Sequence, residues 1–131
     1  MLRQLAIYGA ALLTIAVLDG LWLGVIAKSW YQSGMGHLMA PSPNIPAAAA
    51  FYLLYPIGLV IFAINPAQGD WARAMMMGAL FGLFAYGTYD VTNLAILRDW
   101  PLGLSLIDTA WGAFVGGAAA AVGAFVAQKM S

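Results

Sequence analysis

Four long apolar stretches alternate with short polar connections along this chain. They cover about residues 4–27, 47–65, 73–97 and 103–127, and each is long enough for a transmembrane helix, which needs roughly 20 residues. Because the hydrocarbon layer offers no water to backbone groups, each stretch is predicted to be helical. The second and third connections are tight turns, which make neighbouring helices antiparallel. The pattern predicts an all-α integral membrane protein, an up-down bundle of four transmembrane helices forming one domain over residues 1–131.

The first connection, residues 28–46, differs from the other two. It holds three of the six prolines together with glycines and serines, and this composition predicts an irregular loop. Trp30 and Tyr31 at its start suit the membrane–water interface, where aromatic rings accumulate. Pro56, in the middle of the second stretch, predicts a helix kink.

Composition narrows the class of protein. Hydrophobic residues make up 63% of the chain and charged residues 8%, whereas soluble domains carry about a quarter charged residues. A net charge of zero argues against nucleic-acid binding. The absence of cysteine excludes disulfides and thiol chemistry, and the single histidine, His37, is too little for an ordinary zinc site. We therefore expect no metal and no cofactor.

The few basic residues give a prediction of orientation. Arg3, Arg73 and Lys129 fall on one side with both termini, and Lys28 and Arg98 on the other. The positive-inside rule then places both termini in the cytoplasm by three residues to two. An apolar run after Arg3 would also fit a signal peptide, but its length and its aspartate favour a retained span.

Small residues recur every three or four positions in the fourth stretch. Gly112, Gly116, Ala119 and Gly123 would line one face, where close backbone approach stabilises helix contacts in lipid. Two interpretations stay open: packing within the chain, or self-association into a homodimer or larger membrane complex.

Three aspartates, Asp19, Asp90 and Asp108, fall inside predicted spans. A charge in the bilayer costs about 3 kcal/mol or more, so such residues face a bundle interior or a wet cavity. Counting residues to the nearest span end places all three roughly 10–12 Å below the surface that carries the long connection. Tyr52 and Tyr55 enter at a similar depth, so four helices contribute polar groups to one level.

Other polar residues join this level. At helical periodicity, Tyr86, Asp90 and Asn93 share one face of the third stretch. The segments LDGLW and IDTAW repeat an Asp-x-x-Trp pattern, which we interpret as chance or convergent packing unless the structure shows a pseudo-symmetry. No catalytic or metal-binding residue is predicted. The candidate ligand-binding residues are Asp19, Tyr52, Tyr55, Tyr86, Asp90, Asn93, Asp108 and Trp111. The competing interpretation is a structural hydrogen-bond network that fixes helix register.

Specific motifs add a family resemblance. The segments FYLLYPIG (51–58), YGTYDVTNLAILRDWP (86–101) and DTAWG (108–112) resemble the small bacterial membrane proteins grouped as domain of unknown function 2177. The resemblance implies a four-helix protein of the bacterial inner membrane. It brings no activity, ligand or residue role.

Three functions are compatible with these features. Ionisable residues inside spans mark ion and substrate paths, which favours binding or transport of a small molecule or protons. An accessory or structural subunit that packs on a larger complex, or binds lipid or pigment, is the second. An intramembrane enzyme with two aspartates as acid and base is the weakest, because no nucleophile motif accompanies them.

Overall fold

Five helices form this protein, whose computed structural model describes residues 1–131 and is 86% helical. The bounds are α1 Leu2–Ile26, α2 Lys28–Met35, α3 Ile45–Ala67, α4 Trp71–Ile96 and α5 Leu102–Lys129. The four long helices agree with the predicted stretches to within two residues at every end. The all-helical prediction is confirmed.

Short polar side chains fix where α3 and α4 begin. The carboxylate of Asp70 accepts hydrogen bonds from the backbone N–H groups of Ala72 (3.1 Å) and Arg73 (3.2 Å), and the side chain of Asn44 accepts one from Ala47 (3.1 Å). These acceptors satisfy N–H groups that have no partner within the first turn of a helix.

Three helices are long and apolar enough to cross a membrane: α1, α3 and α5. The helix α4 is as long, but it is not among the three, because the polar residues between Tyr86 and Asn93 lower its hydropathy. The up-down bundle of four spans therefore stays a prediction. Large apolar side chains such as Leu13, Phe62 and Phe84 point outward, each more than half exposed, as expected for a surface in contact with lipid.

The first connection is irregular over residues 39–44, as its composition predicts, but the residues before them are helical. Lys28–Met35 forms the helix α2, and a short 3₁₀ turn follows at Gly36–Leu38. The prolines begin only at Pro41, so the first half of the segment has no residue that prevents a helix. Before α2, the end of α1 widens into a π-helical turn, in which Ala27 N–H donates to the Trp22 carbonyl five residues back (2.7 Å).

Glycines bring α4 and α5 into close contact. A side-chain carbon at Gly82 would overlap the Gly112 carbonyl, and one at Gly78 would overlap the Gly116 carbonyl. The two helices run antiparallel, since the residue numbers of these pairs rise in opposite directions. The glycines of the fourth stretch are thus used for packing within the chain, and that interpretation of the small-residue face is confirmed.

The helix α1 also runs antiparallel to α5. At one end, Arg3 Nε donates to the carbonyl of Ala127 (3.2 Å). Fully buried Ile7, Ile15 and Val115 fill the contact from there toward the polar level. The helix α3 continues through Pro56 and changes to a π-helical turn at Val60–Ile64. Apolar packing therefore occupies the half of the molecule that carries the termini.

Candidate functional site

Asp19 joins three helices through its carboxylate. Its side chain is only 5% exposed. The Tyr52 hydroxyl of α3 donates to Oδ2 (2.8 Å), and the Trp111 indole N–H of α5 donates to Oδ1 (2.8 Å). Both oxygens therefore have a partner, although no basic residue lies near. Of the two tyrosines expected at this depth, Tyr52 is the one that bonds an aspartate.

Asp108 is hydrogen-bonded by a residue of the short helix α2. The Tyr31 hydroxyl of α2 donates to Asp108 Oδ1 and accepts from the Trp22 indole N–H (3.1 Å). Burial, and then the hydrogen bond to the Asp108 carboxylate, raise the pKa of the Tyr31 phenol well above its ordinary value. Tyr31 is therefore a neutral donor at ordinary pH, and it connects the first Asp-x-x-Trp segment to the second.

The two Asp-x-x-Trp segments are related to each other in space. The indole rings of Trp22 and Trp111 stack with centroids 4.4 Å apart and planes 5° from parallel. Trp111 donates to the aspartate of the first segment, and Trp22 reaches the aspartate of the second through Tyr31. The contacts on the two sides are similar but not equivalent, because Trp111 bonds Asp19 directly and Trp22 reaches Asp108 only through Tyr31. They do not establish a pseudo-symmetry, so the interpretation of the repeat as chance or convergent packing stands.

Asp90 lies beside this network, with 2% of its surface exposed. Its carboxylate accepts a hydrogen bond from Thr109 of α5 (3.1 Å). Neither Tyr86 nor Asn93, which share its helix face, hydrogen-bonds to it. The partner comes from the neighbouring helix because antiparallel packing places Thr109 opposite Asp90.

A cavity of about 440 Å³ opens among all five helices. Seven aromatic side chains, two carboxylates and two aliphatic side chains line it. The lining residues are Asp19, Trp22, Leu23, Tyr31, Phe51, Tyr52, Ala85, Tyr86, Tyr89, Asp108 and Trp111. We call this space the central cavity. It has no lysine or arginine in its wall.

A smaller space of about 90 Å³ adjoins the central cavity at Asp108. Asp90, Asp108 and Trp100 lie in its wall. The Trp100 indole N–H is buried without a hydrogen-bond partner. Since Asp108 borders both spaces, the three aspartates lie at neighbouring positions, as the depth count predicts.

The structure brings most of the sequence-predicted residues together, but not all. Asp19, Tyr52, Tyr86, Asp108 and Trp111 line the central cavity, and Asp90 lines the smaller one. Asn93 lines neither. Tyr55 is 8% exposed, and its hydroxyl has no partner; it lies at the glycine contact of α4 and α5, beside Gly82 and Gly116.

Sequence reasoning missed several wall residues: Trp22, Tyr31, Phe51 and Tyr89, together with Thr109. Trp22 carried a signal, since it ends the first Asp-x-x-Trp segment. The π-helical turn that begins at Trp22 is of a kind found frequently at functional sites. Tyr31 carried none, because the pattern assigned it to the interface. No three histidine or acidic side chains lie close enough together to hold a metal ion.

One comparison with known families gives a match. The model of the family described as predicted membrane protein (DUF2177) matches residues 4–125. No curated protein and no solved structure matches the chain. The matched range includes every residue that lines the two cavities, and it confirms the resemblance drawn from the sequence motifs.

Proposed function

This chain belongs to the predicted membrane protein family DUF2177, and on that premise we propose that it binds a small organic cation within the bacterial inner membrane. The cation occupies the central cavity, between the carboxylates of Asp19 and Asp108. The proposal includes a single four-span bundle made of α1, α3, α4 and α5, with both termini in the cytoplasm.

Several features of α4 support its assignment as the fourth transmembrane span. Its 26 residues extend about 39 Å at 1.5 Å per residue, against about 30 Å of hydrocarbon. Its one acidic residue, Asp90, faces α5 rather than lipid. Leu80 and Phe84, on its outer surface, are 47% and 70% exposed. A helix of this kind is stable in the bilayer when its polar face is covered by a neighbour.

The composition of the cavity wall is the observation that supports a cationic ligand. Aromatic faces attract ammonium groups, and the attraction reaches about 2 kcal/mol when the site is desolvated. The seven rings supply such faces, and Asp19 and Asp108 supply negative charge or hydrogen-bond acceptors. No lysine or arginine in the wall offsets them. A cation is therefore the ligand whose charge the wall complements.

Binding is favoured over passage across the membrane. The cavity lies in the half of the bundle nearer to α2, and the other half is filled by fully buried Ile7, Ile15 and Val115. Transport of the cation or of protons through one copy would require this packing to open. A homodimer could provide a path that one four-helix bundle lacks.

One observation favours a second function, that of a structural or accessory subunit. Both oxygens of Asp19 already have donors within the chain, so the carboxylate could serve only to hold α1, α3 and α5 together. Such a network would fix helix register without a ligand. The two functions differ in whether an added cation changes the protein.

Titration of the protein in lipid nanodiscs with benzyltrimethylammonium tests the proposal. The matched neutral compound is neopentylbenzene, in which carbon replaces the charged nitrogen. We expect the cation to alter the tryptophan fluorescence, because Trp22 and Trp111 line the cavity. It should bind at least about tenfold more tightly than the neutral compound, since cation–π attraction contributes about 2 kcal/mol.

Variants complete the test. Asp19→Asn and Asp108→Asn should each weaken binding of the cation at least about tenfold, because each removes one charge facing the ligand. Binding of the neutral compound should stay unchanged. Asp99→Asn is the control, since Asp99 lies exposed in the α4–α5 turn. Equal binding of cation and neutral compound, or no binding of either, would leave the structural function as the better account.

A further inference from the structure

A groove runs along the outer surface of α1, beside the central cavity. Its volume is about 490 Å³. The residues that line it are Ala16, Asp19, Gly20, Leu23, Gly24 and Tyr52. Three of these, Asp19, Leu23 and Tyr52, also line the central cavity. The groove and the cavity therefore share a wall, with the Asp19 carboxylate at their junction.

The floor of the groove is bare helix backbone. Ala16, Gly20 and Gly24 are exposed, and a side-chain carbon added at either glycine would meet no other group within 4 Å. These glycines therefore differ from Gly78 and Gly82, which pack against α5. No side chain of this protein lies over the exposed faces of Gly20 and Gly24, and the row from Ala16 to Gly24 is about 12 Å long.

Entry past Tyr31 would disturb the hydrogen-bond network of the cavity wall. On the side of α2, the Tyr31 hydroxyl is bonded to both Trp22 and Asp108. A molecule entering there would have to break these hydrogen bonds. A molecule arriving from the bilayer along α1 meets the groove first and Asp19 next.

We propose that the bound molecule is a single-chain amphiphilic cation, whose headgroup lies in the central cavity and whose alkyl chain lies in the groove. The proposal rests on the cation site proposed above and adds the class of ligand. Continuity of the groove with the cavity favours an alkyl chain over a second copy of this protein, because a second copy would cover the glycines without needing access to Asp19. Small residues let an alkyl chain approach the helix backbone closely.

Alkyltrimethylammonium ions of increasing chain length test this in nanodiscs. Tetramethyl-, butyltrimethyl- and octyltrimethylammonium are titrated into the wild type and into Gly20→Leu, which fills the groove. Comparing the two proteins in the same lipid cancels the partition of each probe into the bilayer. We expect Gly20→Leu to leave the affinity for tetramethylammonium unchanged. The affinity for octyltrimethylammonium should fall at least about tenfold, because the methylene groups of its alkyl chain can no longer be buried in the groove.

Gly9→Leu is the matched control. Gly9 lies on α1, also meets no group within 4 Å, and is outside the groove. Ala16→Leu is a second groove variant in case Gly20→Leu does not fold. A ratio of wild-type to variant affinity that stays constant with chain length would refute the groove as the chain site while leaving the cation site intact.

Two further results would also overturn the inference. If tetramethylammonium and its longer analogues all fail to bind the wild type, the cation site and the groove ligand fail together. If native mass spectrometry shows a wild-type dimer that Gly20→Leu splits, and Gly9→Leu does not, the groove is an interface between two copies.

Discussion

The indole of Trp22 lies flat against the indole of Trp111, with ring centroids 4.4 Å apart, and each ring donates its N–H to the network of the other segment. Offset aromatic pairs contribute about 0.5–1.5 kcal/mol beyond their burial. The pair joins the last turns of α1 to the N-terminal half of α5 at the wall of the central cavity.

Replacing each tryptophan by phenylalanine should give unequal effects. Trp111→Phe removes the donor to Asp19, which is 5% exposed, and a buried acceptor left without a partner costs about 1–3 kcal/mol. Trp22→Phe removes a donor to Tyr31, which is less buried. We expect the melting temperature in mild detergent to fall further for Trp111→Phe. Equal falls would mean that stacking, rather than the hydrogen bond, matters at this pair.

Asp90 should behave differently from the cavity aspartates. Asp90→Asn keeps the shape of the side chain and an acceptor for Thr109, so stability should change by less than about 1 kcal/mol. Benzyltrimethylammonium should still bind, because Asp90 does not line the central cavity. Thr109→Val, nearly the same shape, removes the donor and should cost about 1 kcal/mol. Loss of cation binding in Asp90→Asn would show that the smaller space belongs to the ligand site.

Glycine contacts between α4 and α5 can be tested by single methyl groups. Gly82→Ala should destabilise the protein strongly, by about 2 kcal/mol or more, because the methyl group would overlap the Gly112 carbonyl and force the helices apart. Gly87→Ala is the control on the same helix, where the new carbon meets only Thr109 at an ordinary 3.5 Å. Thermal melting of the two variants in one detergent compares them. A tolerated Gly82→Ala would contradict the packing.

The raised pKa of Tyr31 predicts a loss of stability at alkaline pH. In the unfolded chain a tyrosine ionises near pH 10, whereas in the folded protein burial and Asp108 keep Tyr31 neutral to higher pH. Stability should therefore fall as pH rises above about 10, because only the unfolded state gains charge there. Tyr31→Phe should reduce this fall, as measured by urea unfolding at several pH values. An unchanged pH dependence would assign it to the other tyrosines.

Membrane topology can be tested with cysteines, since the chain has none. Ser33→Cys, in α2, should react with an impermeant thiol reagent in intact cells, and Ser131→Cys should not. Both serines are exposed, so access to the thiol depends on the side of the membrane. The reverse pattern would invert the proposed orientation, and labelling of both would indicate insertion in two directions.

The ends of the helices can be predicted from this sequence, because the length of an apolar stretch is read directly from consecutive residues. The stretch predicted as 73–97 is the helix Trp71–Ile96. Depth is equally local, so counting residues placed Tyr52 and Tyr55 near the level of the aspartates, and Tyr52 does bond Asp19. A count of depth does not show which neighbouring helix a side chain faces. Tyr55, one turn from Tyr52, has nearly the same depth but faces the glycine contact of α4 and α5.

The path of a connection is harder still to predict. Tyr31 reaches Asp108 because α2 follows α1 closely and turns back over the cavity. Nothing in the composition of residues 28–46 specifies that return. The pairing of Asp90 with Thr109 likewise depends on how α4 and α5 are aligned, which the glycines decide through contacts between residues distant in sequence.

The helix α5 supplies hydrogen-bond donors to helices that are synthesised before it. It is synthesised after α1 and α4, and it carries Trp111 and Thr109, the donors for Asp19 and Asp90. Until α5 inserts, both carboxyl groups lack these donors, and an ionisable side chain within the bilayer costs about 3 kcal/mol. The two carboxyl groups therefore favour packing of α5 beside α1 and α4, because that step supplies their donors.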